Sequence, residues 1–367
     1  MYKVKQINYY LLFTKNKAMR VLLPAFFISL IIFSCSQLEK PQTGENTPVS
    51  KYFNYDDTSV QSAGIRMIPI KTPAGEFKVW TKRFGNNPRI KVLLLHGGPA
   101  AGHEYMECFE SFFQKEGFEF YEYDQLGAPY SDQPTDSSLW TTDRYVDEVE
   151  QVRKAIGAGK NNLYILGNSW GGMLAMEYAL RYQDNIKGLI VGDMVASIPD
   201  YNKYAYAVLA KQMDPKVFNE IMDIEKKKDF ENPRYEELLM PNFYAQHICR
   251  LDPWPEPVVR CFTHLNTTKV SKEIYVMMQG PSEFGASGRL ANWDIKNRLK
   301  EIKVPTLMIG AKWDTMDPKA MEEQSKMVQH GRYLYCANGS HMCMWDDQKV
   351  FMDGVIKFIK DVDGGEF

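Results

Sequence analysis

Short apolar runs alternate with amphipathic stretches over most of the chain after Lys91, and this alternation is the main clue to its fold. Lys91–Leu95 is a run of strand length that ends in His96-Gly97-Gly98-Pro99, a loop signal. Phe118–Tyr123 reads as the next strand. Tyr145, Val149, Val152 and Ile156 recur at steps of four, three and four, which predicts a helix over Thr141–Ile156. Leu163–Leu166 then predicts a strand, Met173–Tyr182 a helix and Ile186–Val191 a strand. Between about Ser197 and Asp294 the pattern breaks into Tyr- and Lys-rich helical stretches and a Pro-dense loop, Asp252–Pro257, without a clear strand. Alternation resumes with strands at Val304–Ile309 and Arg332–Tyr335 and closes with a helix near Val350–Ile359. Ahead of the first parallel strand, Ile65–Ile70 and Glu76–Phe84 suit an antiparallel pair at a sheet edge. Strand–helix alternation of this kind predicts an α/β fold, a mostly parallel sheet covered by helices on both faces. The helical interruption reads as a cap inserted between two sheet strands.

The N-terminal region has a different pattern. Lys15, Lys17 and Arg20 precede an apolar run, Val21–Phe33, that ends at Ser34-Cys35. A basic head, an apolar stretch shorter than the ~20 residues that span a bilayer, and a small residue before cysteine make a lipoprotein signal. The expectation is processing at Cys35 with lipid on its sulfur; an uncleaved anchor helix is the alternative. The polar, Pro-containing residues 36–50 then serve as a tether. The expected organisation is signal 1–35, tether 36–50, core 51–196, cap 197–296 and the second part of the core 297–367. The protein would be exported and membrane-anchored through its lipid.

Composition narrows the function. With 367 residues, 44% hydrophobic and 25% charged, the chain can build a large core. A net charge of −2 leaves no basic footprint for nucleic acid. Apart from Cys35 five cysteines remain, an odd number, so at least one is a free thiol. No Cys/His spacing resembles a zinc site, and no metal or cofactor is called for.

The chemistry is concentrated in Gly167-Asn168-Ser169-Trp170-Gly171, a G-x-S-x-G pattern between a predicted strand and a predicted helix. That context is what a nucleophile elbow requires. It makes Ser169 the candidate nucleophile, against the alternative of a chance glycine-rich turn. An oxyanion needs two backbone donors: the N–H of Trp170, the residue after the nucleophile, and one from the His96–Pro99 loop, assigned to Gly98. His96 itself suits a loop brace better than a base. The fold's chain order is serine, acid, histidine, and past position 264 the histidines are His330 and His341. His341 follows the last predicted strand, whereas His330 lies at that strand's other end. Asp314, after the strand that ends at Ile309, is the favoured acid; Asp193 and Asp317 are the alternatives.

Together these motifs resemble the proline iminopeptidase family of α/β hydrolases, including its archaeal tricorn-interacting type. The resemblance spans roughly Gly64–Ile359. It rests on His-Gly-Gly-Pro at 96–99, Tyr-Asp-Gln-Leu-Gly at 123–127, Gly-Asn-Ser-Trp-Gly-Gly at 167–172 and Gln279-Gly-Pro-Ser-Glu-Phe284. Trp293-Asp294 and Ser340-His341 with Met344-Trp345 add to it. Ala100, Leu126 and Ala311 depart from the family pattern, though none is a triad side chain. The resemblance implies an α/β-hydrolase fold and release of an N-terminal residue, often proline, from short peptides with a free N-terminus. Such a substrate brings a cation beside the scissile carbonyl, so the cap should supply carboxylates. Glu283 resembles the family's amine-binding glutamate. Glu237 and Glu256 are candidates for a second, against the plainer reading of solvated surface charges. An esterase with the same triad and a non-catalytic surface lipoprotein are the rival readings.

Overall fold

The computed structural model describes residues 63–367. The signal, the tether and Cys35 lie outside the described residues. Eight strands form one sheet: β1 (Ile65–Thr72), β2 (Gly75–Phe84), β3 (Lys91–Leu95), β4 (Glu119–Tyr123), β5 (Leu163–Asn168), β6 (Gly188–Gly192), β7 (Thr306–Ala311) and β8 (Gly331–Cys336). Their spatial order is β1-β2-β4-β3-β5-β6-β7-β8. β1 and β2 form the expected antiparallel pair at one edge, and β2 runs antiparallel to β4; every pairing from β4 to β8 is parallel.

Parallel strands are buried on both faces, which is why they read as continuous apolar runs. In β3, Leu93 and Leu95 enter one core layer with Tyr145 and Val149 of the helix Thr142–Ala155. Val92 and Leu94 enter the other, with Phe351, Val355 and Phe358 of the helix Gln348–Gly364. The helix Thr142–Ala155 starts where the Thr141 side chain accepts the Arg144 N–H at 3.4 Å, an N-cap.

Strand order and register place the site. The chain leaves β3 for β4 on one side and returns to add β5 on the other, so the loops after β3 and β5 flank a topological switch point. Leu95 is level with Gly167, and Asn168 with Gly192, so the His96 loop and the Ser169 turn begin at the same height. Ile309 aligns with Gly192 and Ala311 with Cys336, which brings the loops carrying Asp314 and His341 to the same edge.

Between β6 and β7 the described chain is helical, with Ile198–Ala207, Pro215–Lys227, Pro233–Leu239, Glu256–Thr267 and Lys269–Met278 as its longer elements. Ser197, Asp214 and Asn232 cap the first three, each ahead of a proline in the first turn. The two ends of this insertion are stitched together by a Ser197–Asp294 bridge: Ile198 N–H donates to Trp293 O at 2.8 Å and Ile295 N–H to Ala196 O at 2.9 Å. Arg260 fastens it to the core through two hydrogen bonds to Glu107, at 3.1 and 2.7 Å.

Candidate active site

Ser169 sits on the tight turn between β5 and the helix Trp170–Tyr182, with φ 57° and ψ −128°. A non-glycine residue at such a φ is strained and persists only where its surroundings demand it. Those surroundings explain the glycines. A Cβ on Gly167 would lie 2.0 Å from Gly171 O, and one on Gly171 would lie 1.9 Å from Leu95 O. Strand, helix and neighbouring strand approach too closely for a side chain at either place. The helix begins directly after the serine, three residues earlier than its hydrophobic pattern predicts, so its positive end lies at the nucleophile.

The His96 loop lies against this turn, with Gly97 so close that a Cβ on it would be 3.1 Å from the Ser169 Cβ. His96 is fully buried, and burial pulls its pKa down, so the ring is neutral. The Gln125 N–H donates to Nε2 at 3.0 Å, closer than the Gly102 N–H approaches Nδ1 at 3.3 Å, so the proton is assigned to Nδ1, 2.8 Å from Gly97 O. In a trans peptide the C=O and N–H point opposite ways. Holding the Gly97 carbonyl against His96 therefore turns the Gly98 N–H the other way. Among the described residues neither the Gly98 N–H nor the Trp170 N–H has an acceptor. Gln125 also joins the two halves of this arrangement, accepting from Trp170 Nε1 at 2.8 Å and donating to His96 O at 2.9 Å.

His341 Nδ1 is 2.7 Å from Asp314 Oδ1, and Thr315 Oγ1 donates to the same carboxylate oxygen at 3.3 Å. Burial alone would lower the His341 pKa, but the charge and hydrogen bond of Asp314 outweigh it and hold the imidazole above its ordinary value. Of the three acids weighed from sequence, Asp314 is the one that meets the histidine. Asp317 caps the helix Pro318–Ser325 by accepting the Lys319 N–H at 3.0 Å. Asp193 is buried under the site, where it accepts from Asn168 Nδ2 at 3.0 Å and Cys343 Sγ at 3.2 Å. His330 is exposed at the opposite end of β8.

Ser169, His341, Gly97 and Gly98 open on one cavity of about 630 Å³ under the cap. Its walls are rich in aromatic rings, Tyr105, Tyr244, Trp254, Phe262 and Tyr275 among them. Glu283 lines it too. Tyr275 donates to Glu283 Oε1 at 2.5 Å, the Glu283 N–H reaches Tyr244 Oη at 3.3 Å, and its carbonyl accepts the Tyr201 hydroxyl. Burial pushes the Glu283 carboxyl up, although nearby His341 and the Tyr275 hydrogen bond act the other way. No lysine or arginine among the described residues forms an ion pair with it.

The other two cap glutamates are elsewhere. Glu237 is exposed beside Arg234, and Glu256 is exposed beside Arg260; neither lines the cavity. Helix periodicity accounts for both. Glu236, one position earlier, is the carboxylate of its helix on the cavity side, and Glu256 braces the arginine that ties the cap to Glu107. The five described cysteines are all free thiols and buried. Sequence reasoning missed Tyr105, Tyr244 and Tyr275. They stand outside any spacing rule: Tyr105 reaches the cavity from the segment after β3, and Tyr244 and Tyr275 from the cap.

A strained serine on an elbow, a histidine held by an aspartate and paired free amides define a serine hydrolase of the α/β-hydrolase fold. The alpha/beta hydrolase fold family matches residues 91–348. A proline iminopeptidase of Flavobacterium johnsoniae is 74% identical over 296 residues, covering 81% of this chain and 98% of that one. Another, from Elizabethkingia meningoseptica, is 72% identical over 303 residues, with 82% and 100% covered. The crystal structure of a Mycobacterium smegmatis proline iminopeptidase superposes with a TM-score of 0.71 at 25% identity, covering 82% of this chain and all of that one. The chain belongs to the proline iminopeptidase family of α/β hydrolases.

Proposed function

We propose that this enzyme releases N-terminal proline from short peptides through an acyl-enzyme on Ser169. The observation that carries this reading is a carboxylate paired with no lysine or arginine among the described residues, Glu283, on the same cavity as Ser169 and His341. A free prolyl amine loses water on entering the cavity, and a carboxylate there replaces what it loses. The aromatic walls suit a pyrrolidine ring, and the volume leaves room for residues beyond the first.

Each step falls to a named group. His341 takes the proton of Ser169 Oγ as the oxygen attacks the carbonyl of the first residue, and the oxyanion receives the N–H groups of Gly98 and Trp170. The C–N bond then breaks as His341 returns the proton to the leaving amine. Water, deprotonated by His341, attacks the acyl-enzyme, and the amino acid leaves with Ser169 restored. Asp314 holds the imidazole in the required tautomer and offsets its positive charge.

The test compares prolyl anilide with its N-acetylated form in wild type and in Glu283→Gln. This substitution keeps shape and removes charge, so kcat/KM for the free amine should fall by about 2–5 kcal/mol. The acetylated substrate should be poor in both. Equal cleavage of both substrates, unchanged by Glu283→Gln, would favour simple ester hydrolysis instead. We also propose that the enzyme is exported and held at a membrane by lipid on Cys35. That reading is supported by the basic head, apolar run and Ser34-Cys35 of the sequence.

A further inference from the structure

Three loops meet at the site, and each brings one part of the machinery: Gly98 on the first, Ser169 on the second, His341 on the third. Two side chains with no acid–base task join all three. The Tyr105 hydroxyl accepts the Gly97 N–H at 2.7 Å and donates to Asn168 Oδ1 at 3.0 Å. Asn168, the residue before the nucleophile, uses its Nδ2 to reach Asp193 Oδ2 at 3.0 Å and the His341 carbonyl oxygen at 3.5 Å. Tyr105, Asn168 and Asp193 are all buried. Trp345 fastens the other end of the tyrosine's segment, donating from Nε1 to Tyr105 O at 2.7 Å.

The directions along this chain follow from the groups at its start. A backbone N–H can only donate, so the tyrosine oxygen accepts from Gly97. Burial holds the phenol well above its ordinary pKa, so it keeps its proton and gives it to Asn168 Oδ1. The Asn168 amide must then turn its NH₂ toward Asp193 and His341. Asp193, also raised well above its ordinary range by burial with Asp314 nearby, is placed to accept.

We propose that Tyr105 and Asn168 are positioning residues that keep the oxyanion-binding loop in register with the nucleophile and the base. His96 fixes one face of the Gly97 unit through its carbonyl, and Tyr105 fixes the other through its N–H. With both ends held, the Gly98 N–H is aimed before substrate arrives, and little reorganisation is left for the transition state. Without Tyr105 the Gly97 N–H is a buried donor lacking a partner, and the loop can turn to find one. The proposal rests on Gly98 being an oxyanion donor, as in the function proposed above.

The experiment uses the whole enzyme with Tyr105→Phe and Asn168→Asp. An interaction made in the transition state appears in kcat and leaves ground-state binding alone. Tyr105→Phe should therefore lower kcat about 10–100-fold, below the 10²–10³ for deleting a donor outright, with KM changed less than about threefold. The Ki of a prolyl boronate, which carries the tetrahedral oxygen, should rise in proportion; the Ki of free proline should not move. A merely structural role would shift KM and proline binding together with Tm. In Asn168→Asp an ionised carboxylate faces Asp193 and the His341 carbonyl with no donor, and protonation restores one. Its kcat relative to wild type should therefore climb as pH falls. Wild-type kcat and boronate Ki in Tyr105→Phe would overturn the proposal. If Tyr105→Phe does not fold, a pH-independent ratio in Asn168→Asp overturns it instead. Failure of wild type to cleave prolyl substrates would count against the function alone. Labelling of Ser169 by a fluorophosphonate would then carry the comparison, and it should slow in Tyr105→Phe whatever the substrate.

Discussion

As the proposed triad, Ser169, Asp314 and His341 should act as one unit, and their variants should behave as one. Ser169→Ala and His341→Ala should each lower kcat by several orders of magnitude, and the double variant should be scarcely worse than either. The base works only when neutral. Because Asp314 holds the His341 pKa above its ordinary value, activity should be lost as pH falls through that raised value. Asp314→Asn removes the charge, so kcat should drop roughly 10⁴-fold while the remaining acid limb moves to lower pH. Full activity in Asp314→Asn, read from a pH–rate profile, would contradict the assignment. The G-x-S-x-G turn between strand and helix pointed to Ser169, and chain order together with a place after the last strand pointed to His341. Asp193 and Asp317 were separable from Asp314 only by distance. One makes a buried contact to Asn168, which no local pattern shows; the other caps a helix, a task that Asp317-Pro318 does signal locally.

At the scale of elements, the buried parallel strands were the most legible parts, since a strand covered on both faces must be apolar throughout. Lys91–Leu95 is a strand within the residues its pattern marks. The helix after Ser169 was harder to delimit because Trp170, Gly171 and Gly172 read as turn residues, whereas close packing is what requires the glycines. The elbow itself is testable. Gly171→Ala puts a Cβ against a strand carbonyl that cannot move, an overpacking cost of about 1–3 kcal/mol or more, seen as a Tm drop of several degrees. Gly159→Ala, whose Cβ would have nothing nearer than an arginine nitrogen at 3.8 Å, is the control and should melt near wild type. Equal Tm values for the two would mean that the elbow is not packed as described. The helix Pro318–Ser325 has room between Asp314 and the last strand but no hydrophobic pattern to delimit it. It buries only Met321, Gln324 and Ser325, too little for an apolar stripe.

For the whole molecule, the proposed lipid anchor predicts where the enzyme is found. Wild type should partition into detergent, and Cys35→Ser should appear in the aqueous phase or keep residues 1–34. Wild type in the aqueous phase with those residues attached would end the lipoprotein reading. The class of fold could be read from the amino-acid order, which also singled out Ser169 and His341 as the proposed nucleophile and base. Both follow from period and order along the chain: continuous apolar strands, amphipathic helices and a serine on a glycine-flanked turn. Which carboxylates line the cavity was settled only by packing. It left Glu237 and Glu256 on exposed helix faces beside Arg234 and Arg260, and it carried Glu283 to the cavity on a loop after the helix Lys269–Met278, held there by Tyr244 and Tyr201. It also decided that Tyr105 and Asn168, 63 residues apart, share a hydrogen bond. The level ends of β3 and β5 bring their loops together, and no spacing rule reaches across two strands.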